Sequence, residues 1–359
     1  MSARMIRIGL VGCGFIGTAH SIALRQLSRA GLVDAAVVAT YDADPQRAEV
    51  TAGHHEGARA MATVDDVVGA ADAIWVCTWT AAHAEPVRAA AARGLPVFCE
   101  KPLAPTLPEC EDLAMHLRRV PHQVGLVLAY APVFLAAADA VRSGRHGAPL
   151  AAILRDDQYF PIQGMYSSTW RGDVAKAGGG TLIEHSIHDV DVLRRILGDP
   201  SSVAARTACH FGHPGIEDVA ELSLGYPGGV TAALVSVWHQ VTSRASTRRL
   251  EVFCEDAVLW TDDDHLGPLH VETSSGNETI AGHLPPWAER LDVPEVLLAP
   301  IAQYAEPSKA FLDALARDGA AAHGDPDVEV ALAAHRIVDA AYRSAAADGT
   351  PVVTAVQPR

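Results

Sequence analysis

The sequence predicts an α/β chain of two domains, the first a doubly wound parallel sheet and the second an α/β domain rich in antiparallel strands. Three observations carry this. At 359 residues and 49% hydrophobic, the chain can bury more than one typical core. Its first third alternates short apolar β-branched runs with helix-patterned stretches, the order that covers a parallel sheet with helices. Its later part strings β-rich runs together with turn signals between them, which favours antiparallel pairing. The expected domains are 1–124 and 125–359.

The first run, MIRIGLV (5–11), leads into Gly12-Cys13-Gly14-Phe15-Ile16-Gly17 and then into a helix pattern through Arg29. Strand, G-x-G-x-x-G and helix in that order make a dinucleotide cradle. The first glycine makes the tight turn, the second lets backbone approach a pyrophosphate, the third lets helix pack on strand, and the helix N-terminus holds the charge. A second strand, 35–41, ends in Asp42, 25 residues after Gly17. An acid at that offset accepts from the adenosine ribose hydroxyls and repels a 2′-phosphate. No Arg stands in Ala43-Asp44-Pro45 to reverse this, so NAD is expected over NADP. A turn residue heading D-x-D-P is the competing role for Asp42.

The alternation continues with strands near 58–62, 73–78, 96–99 and 124–128, and helices from 65, over 83–93 and over 107–118. Ligands of such sheets lie beyond the carboxyl ends of the strands. Here those ends carry Gly12 to Gly17, Asp42, Thr78, Trp79, Glu100 and Lys101, with His83 opening the next helix as a further cofactor-binding candidate. Pro102 restricts Lys101 to an extended backbone and so fixes where its side chain points. In the second half, 151–156, 202–211, 220–226, 230–239 and 249–254 read as strands, and helical periodicity returns from Pro307 (Phe311, Leu315; Val330, Ala334, Ile337, Val338).

Composition excludes several classes. With 43 acidic against 28 basic residues, a formal charge of -15, the overall field repels nucleic acid. No run of 18 apolar residues suits a membrane span, and the N-terminus enters a strand after six residues with no room for a signal peptide, so the cytoplasm is expected. Six cysteines without a C-x-x-C pair read as buried free thiols of a reducing compartment.

Chemistry concentrates in Gly178–Asp191, GGGTLIEHSIHDVD. Placed on one helix, Ile183, Ile187, Val190 and Leu197 form an apolar stripe, and Glu184, His188, Asp191 and Arg195 a polar one. Glu184 and His188 stand i and i+4, within reach of one ligand. Gly178 to Gly180 are expected to let backbone and cofactor come close. The residues leave three roles open: a solvated acidic face; a metal site from Glu184, His188 and His185 or Asp191, though no H-E-x-x-H is present; and a proton-transfer site with His188 as base and Lys101 as partner of the reacting hydroxyl.

The segments GLVGCGFIG, WVCTWTAAHAEPVRAAAARGLPVFCEKPLA, AGGGTLIEHSIHDVDVLRRILG, FLDALARDG and AAYRSAAADGTPV, in this order, resemble the Gfo/Idh/MocA family of NAD(P)-dependent sugar and polyol oxidoreductases over nearly the whole chain. The resemblance implies a Rossmann domain followed by an α/β domain on a large, open, mostly antiparallel sheet that often serves oligomer contacts. A homodimer or homotetramer, NAD, a sugar, inositol or related polyhydroxylated substrate, and no metal are the corresponding expectations. It favours proton transfer: members carry a lysine at E-K-P and an Asp and a His four apart after the glycines, which map onto Lys101, Glu184 and His188. His188 would then take the hydroxyl proton in oxidation and return it in reduction. Lys101 would hydrogen-bond the same oxygen, and Glu184 would orient Lys101 or hold a neighbouring hydroxyl.

The chain also departs from the family. Glu184 replaces the commoner Asp, Trp79 stands where relatives usually have Pro, and Ala129-Tyr130 replaces a segment that often carries an Arg. His185 and Ser186 replace an apolar residue and Gly, so His185 is either a polar group near the substrate or a structural histidine. Tyr159, Trp170, Arg171, His185, Trp238 and His239 are candidates to line a sugar site, each against the alternative of being core. A metal-dependent hydrolase or lyase on the Glu184/His188 helix, a redox-neutral enzyme that keeps NAD bound, and a non-catalytic NAD sensor are the other functions left open.

Overall fold

The computed structural model describes residues 5–317 and 326–354. The chain divides into two compact units: residues up to Ala104, Pro108–Val127 and Leu284–Leu332 in the first, and Pro105–Leu107, Leu128–His283 and residues from Ala333 onward in the second. A single cut after 124 misses the return of 284–332 to the first unit. The reason is hydrophobic. Phe311 and Leu312, on the helix Glu295–Arg317, are 1% and 2% exposed and share a core with Ile8, Leu10, Leu24, Trp75 and Phe98. The end of the FLDALARDG segment, Asp318-Gly319, lies outside the described residues.

In the first unit, β1 (Ile6–Val11), β2 (Ala35–Tyr41), β3 (Arg59–Ala60), β4 (Ala73–Val76), β5 (Val97–Glu100) and β6 (His122–Gly125) form one parallel sheet in the order β3-β2-β1-β4-β5-β6. This is the doubly wound order, and its strand sequence reverses between β1 and β4. β4 and β5 are buried along their whole length, as apolar strands covered on both faces must be. The last strand ends at Gly125 rather than running to Leu128, because residues 127–130 turn into a short helix instead.

In the second unit, β7 (Pro149–Tyr159), β8 (Ser202–Ala208), β9 (Val219–Gly225), β10 (Thr231–His239), β11 (Thr247–Cys254), β12 (Ala257–Thr261), β13 (Leu269–Thr273), β14 (Gly276–Ile280) and β15 (Val352–Val353) form a sheet in the order β14-β13-β12-β11-β7-β10-β9-β8-β15. Every pairing is antiparallel except β7 with β10. β8, β9, β10 and β11 alternate buried and part-exposed residues, so one face is packed and the other is open. β12 to β14 extend the sheet beyond the strands read from sequence; each is only five residues long, too short for its alternation to stand out.

Candidate functional site

The side chains singled out in the sequence fall into two sets, one in each unit. In the first unit the glycine loop joins β1 to the helix Phe15–Arg29. Gly12 has φ +93°, and a Cβ there would stand 2.5 Å from the backbone of Cys77 and Thr78, so the loop can pass β4's end only as glycine. A Cβ at Gly14 would meet nothing within 4 Å, and no side chain caps the helix start. Open space in front of uncapped helix N–H groups suits a pyrophosphate.

Asp42 leaves β2 beside this loop. Its Oδ2 accepts the Cys13 N–H at 2.7 Å and its Oδ1 the Asp44 N–H at 2.9 Å. The carboxylate thus heads the D-x-D-P turn, and lone pairs remain on both of its oxygens. Thr78 and Trp79 are half-buried after β4. His83 is placed differently from the expectation of a cofactor contact. It is 1% exposed, with Nδ1 3.3 Å from Leu103 O and Nε2 3.2 Å from Thr78 O, so it ties the β4 end to the segment after Lys101.

Glu100 is 5% exposed, and it fastens the strand end that carries Lys101. Its Oε2 accepts the Lys101 N–H at 3.1 Å, and its Oε1 pairs with His20 Nε2 at 2.8 Å. His20, three residues past Gly17 and fully buried, is held in turn by Ser308 Oγ, 3.2 Å from Nδ1. The glycine-loop helix and the Lys101 strand end are thus joined by one buried hydrogen bond. The peptide bond from Lys101 to Pro102 is cis.

In the second unit the GGGTLIEHSIHDVD segment is buried, not a solvated face: Glu184, His188, Asp189 and Asp191 are 2%, 7%, 0% and 2% exposed. Nor is it one helix. Thr181–Glu184 and Ile187–Leu197 are separate, with His185 and Ser186 between them. Ser186 N–H bonds to Thr181 O and His188 N–H to His185 O, a wide turn then a tight one, while Ser186 Oγ is drawn to Asp156 and Ser236.

The three glycines serve the protein's own packing. A Cβ at Gly180 would stand 1.9 Å from Glu217 O, and those at Gly178 and Gly179 would meet Pro105 and the Tyr342 hydroxyl. Glu217 caps the segment: its carboxylate accepts from Gly180 N at 2.7 Å, Leu182 N at 3.0 Å and Tyr342 OH at 2.8 Å. Burial pushes this carboxyl up, and the same donors pull against it.

Glu184 Oε2 accepts from Arg171 Nε at 3.1 Å, and the Arg171 guanidinium lies 4.4 Å over the Trp170 ring. Arg171 and Trp170 are therefore set beside Glu184. His185 is clamped, with Nδ1 2.9 Å from Asp156 Oδ2 and Nε2 2.9 Å from Arg248 Nη2. This favours the structural role over a substrate contact. Asp191 is spent on Arg194 and Arg195.

Among the other substrate candidates, Tyr159 is 7% exposed and its hydroxyl accepts the Met165 N–H at 3.2 Å. Trp238 is 1% exposed, stacked on Phe160 in an aromatic core, so its expected sugar contact gives way to packing. Alternation along β10 turns His239 to the opposite face, 3.5 Å from Asp157, away from the face that holds Ser236 against Ser186. Among the described residues, no three His, Cys, Asp or Glu side chains converge as a metal ion requires.

Sequence reading passes over His20, Glu217, Tyr342, Arg248, Asp156 and Asp189. One signal was present: Asp156-Asp157 and Arg248-Arg249 are charge pairs inside β runs. Period-2 alternation sends one of each pair into the packed face, where a charge must find a partner.

Comparisons with known proteins agree with this layout. Residues 6–126 match the GFO/IDH/MocA oxidoreductase family with an NAD-binding Rossmann fold, and residues 134–260 match the GFO/IDH/MocA C-terminal domain. An inositol 2-dehydrogenase of Cereibacter sphaeroides is 35% identical over 223 residues, so the match spans 59% of this chain and 61% of that relative's length. An inositol 2-dehydrogenase of Rhizobium meliloti is 29% identical over 357 residues, 95% of this chain and 97% of its own. Levoglucosan dehydrogenase in complex with NADH and levoglucosan shares the fold, with a TM-score of 0.85 over 98% of this chain and 100% of that chain at 20% identity.

Proposed function

The chain belongs to the GFO/IDH/MocA oxidoreductase family, and on that premise we propose that it is an NAD-dependent dehydrogenase or reductase acting at a CH–OH carbon of inositol, a sugar or a related polyol. The observation that carries this is the Gly12–Gly17 loop, an uncapped helix start with open space at Gly14 beside Asp42, in the same unit as a Lys101 whose backbone is fastened by Glu100. Identity to inositol 2-dehydrogenases supports the substrate class.

The loop N–H groups would hold the pyrophosphate, and Asp42 the adenosine ribose, its charge disfavouring a 2′-phosphate. When bound, NAD supplies the acceptor or donor of the hydride. His188 takes the hydroxyl proton in oxidation and returns it in reduction. The Lys101 ammonium hydrogen-bonds the same oxygen and offsets its developing negative charge. Glu184, held by Arg171, offers its remaining lone pairs to a neighbouring donor. The reading extends to a cytoplasmic homo-oligomer, for which six free cysteines and the open face of the nine-stranded sheet are the supporting features. Among the described residues, no helix is long and apolar enough to cross a membrane.

The test is a titration with NADH and, separately, NADPH by energy transfer from tryptophan, followed by turnover on a panel of polyols and sugars. Tighter NADH binding, and loss of turnover in His188→Ala and Lys101→Ala with NADH binding retained, are the expected results. Full kcat in either variant removes its assigned role, and failure to bind either cofactor removes the function.

A further inference from the structure

Asp156 and Asp189 take no part in the roles given to Lys101, Glu184 and His188. Both are 0% exposed, one on β7 and the other third in the helix Ile187–Leu197. Asp156 Oδ2 accepts from Ser186 Oγ at 3.0 Å and Arg248 Nη2 at 3.3 Å and lies 2.9 Å from His185 Nδ1. Asp189 Oδ1 accepts from Arg248 Nε at 2.8 Å. The remaining oxygens, Asp156 Oδ1 and Asp189 Oδ2, are buried and have no hydrogen-bond donor among the described residues. Both carboxyl groups nevertheless bond to the same guanidinium, Arg248 Nη2 for Asp156 and Nε for Asp189, which holds them beside each other. Two bare acceptors repel; one proton between them makes a bond that satisfies both.

The charges around the pair point the same way. A guanidinium cannot accept, so His185 Nε2 accepts from Arg248 and the imidazole is the neutral tautomer with its hydrogen on Nδ1. Arg248 from β11 is thus a single cation facing three carboxyls: Asp156, Asp189 and Asp264, the last 2.7 Å from Nη1 and 37% exposed at its side chain. Tyr166, whose hydroxyl feels Arg248, Arg171 and Asp264, adds no positive charge, and Ser236 of β10 and Ser186 are neutral. A fully ionised set would leave two negative charges in excess, largely in a dry site.

We propose that Asp156 and Asp189 share one proton at neutral pH, and that the resulting hydrogen bond pins the start of the Ile187–Leu197 helix, and with it His188, to β7. Burial pushes the Asp189 carboxyl up to about 7 and raises that of Asp156, with Arg248 opposing both, so the proton leaves as the medium turns alkaline. Two adjacent carboxylates then face each other where the helix begins. Asp156 and Asp189 are positioning residues in this scheme. The part concerning His188 rests on its proposed role as base; the shared proton does not.

The experiment is infrared difference spectroscopy of the full-length protein titrated through pH 7, on wild type, Asp189→Asn and Asp156→Asn, with kcat against pH measured on the same samples. Wild type is expected to show the C=O stretch of a buried carboxylic acid that disappears with a midpoint near about 7, and each variant to lack it. Asn at 189 donates permanently to Asp156, so its alkaline fall in kcat should move to at least tenfold lower proton concentration. Absence of the band in wild type, or its survival in both variants, overturns the shared proton; the wild-type measurement decides even where a variant does not fold. An unmoved alkaline fall in Asp189→Asn overturns the link to His188. Loss of kcat in His188→Ala is read separately and tests only the base assignment.

Discussion

Removing the Glu217 carboxylate should release the start of the segment that carries Glu184 and His188. Glu217→Ala leaves three buried donors without an acceptor: Gly180 N–H, Leu182 N–H and the Tyr342 hydroxyl. Each stranded donor costs about 1–3 kcal/mol, which gives roughly 3–9 kcal/mol before relief from no longer burying a charge. That relief is real, since burial already pushes this carboxyl up. A net loss of about 3 kcal/mol is expected, a large share of a typical stability of about 5–15 kcal/mol. Glu217→Gln keeps the shape and Oε1 but turns an N–H group toward the Gly180 donor, so it should lose about 2 kcal/mol. Urea unfolding reads both, and hydrogen exchange localises the effect, because the Gly180 amide should exchange faster in both variants and the Leu182 amide, whose acceptor Oε1 survives in the Gln variant, mainly in Glu217→Ala. If Glu217→Ala unfolds within about 1 kcal/mol of wild type with both amides still protected, the capping argument is wrong.

Three further outcomes follow from the same geometry. His20→Ala removes the partner of Glu100 Oε1 in the first unit's interior and leaves Oε2 on the Lys101 N–H; a loss of about 1–3 kcal/mol is expected, with kcat falling as the Glu100 hold on the Lys101 backbone loosens, and thermal melting plus steady-state kinetics would show it. Gly14→Ala has open space and should melt like wild type while binding NADH at least about tenfold more weakly, whereas Gly180→Ala drives a Cβ to 1.9 Å from Glu217 O and should fail to fold stably; calorimetry with NADH titration separates the two. The Asp189 carboxyl is raised from 3.8 to about 7, above its unfolded value. Its contribution is therefore complete below about 4 and is lost as pH rises through about 7, an order of about 4 kcal/mol at 1.36 per unit. Asp189→Asn should flatten that slope in unfolding free energy, and an unchanged slope would count against the buried pair.

Local pattern sufficed for the parallel sheet and glycine loop of the first unit because their signals are local, whereas the return of 284–332 to that unit rests on a distant core. A strand, a glycine loop and a helix start within a dozen residues specify a phosphate cradle, and an apolar run such as Ala73–Val76 can be stable only under cover on both faces. Lys101 was findable for the same reason, standing at a strand end before proline. The GGGTLIEHSIHDVD segment shows where local pattern stops. Its spacing marks Glu184 and His188, yet helical periodicity carried through His185 and Ser186 misses the break, because the cause sits 30 to 63 residues away in Asp156, Ser236 and Arg248. The glycines there look like room for a ligand and are room for Glu217, Tyr342 and Pro105. Residue types and short spacings determined the fold class, the cofactor loop and the candidate base. Only the tertiary structure decided which carboxyl groups are buried together, since a charge takes its meaning from neighbours that chain order does not name.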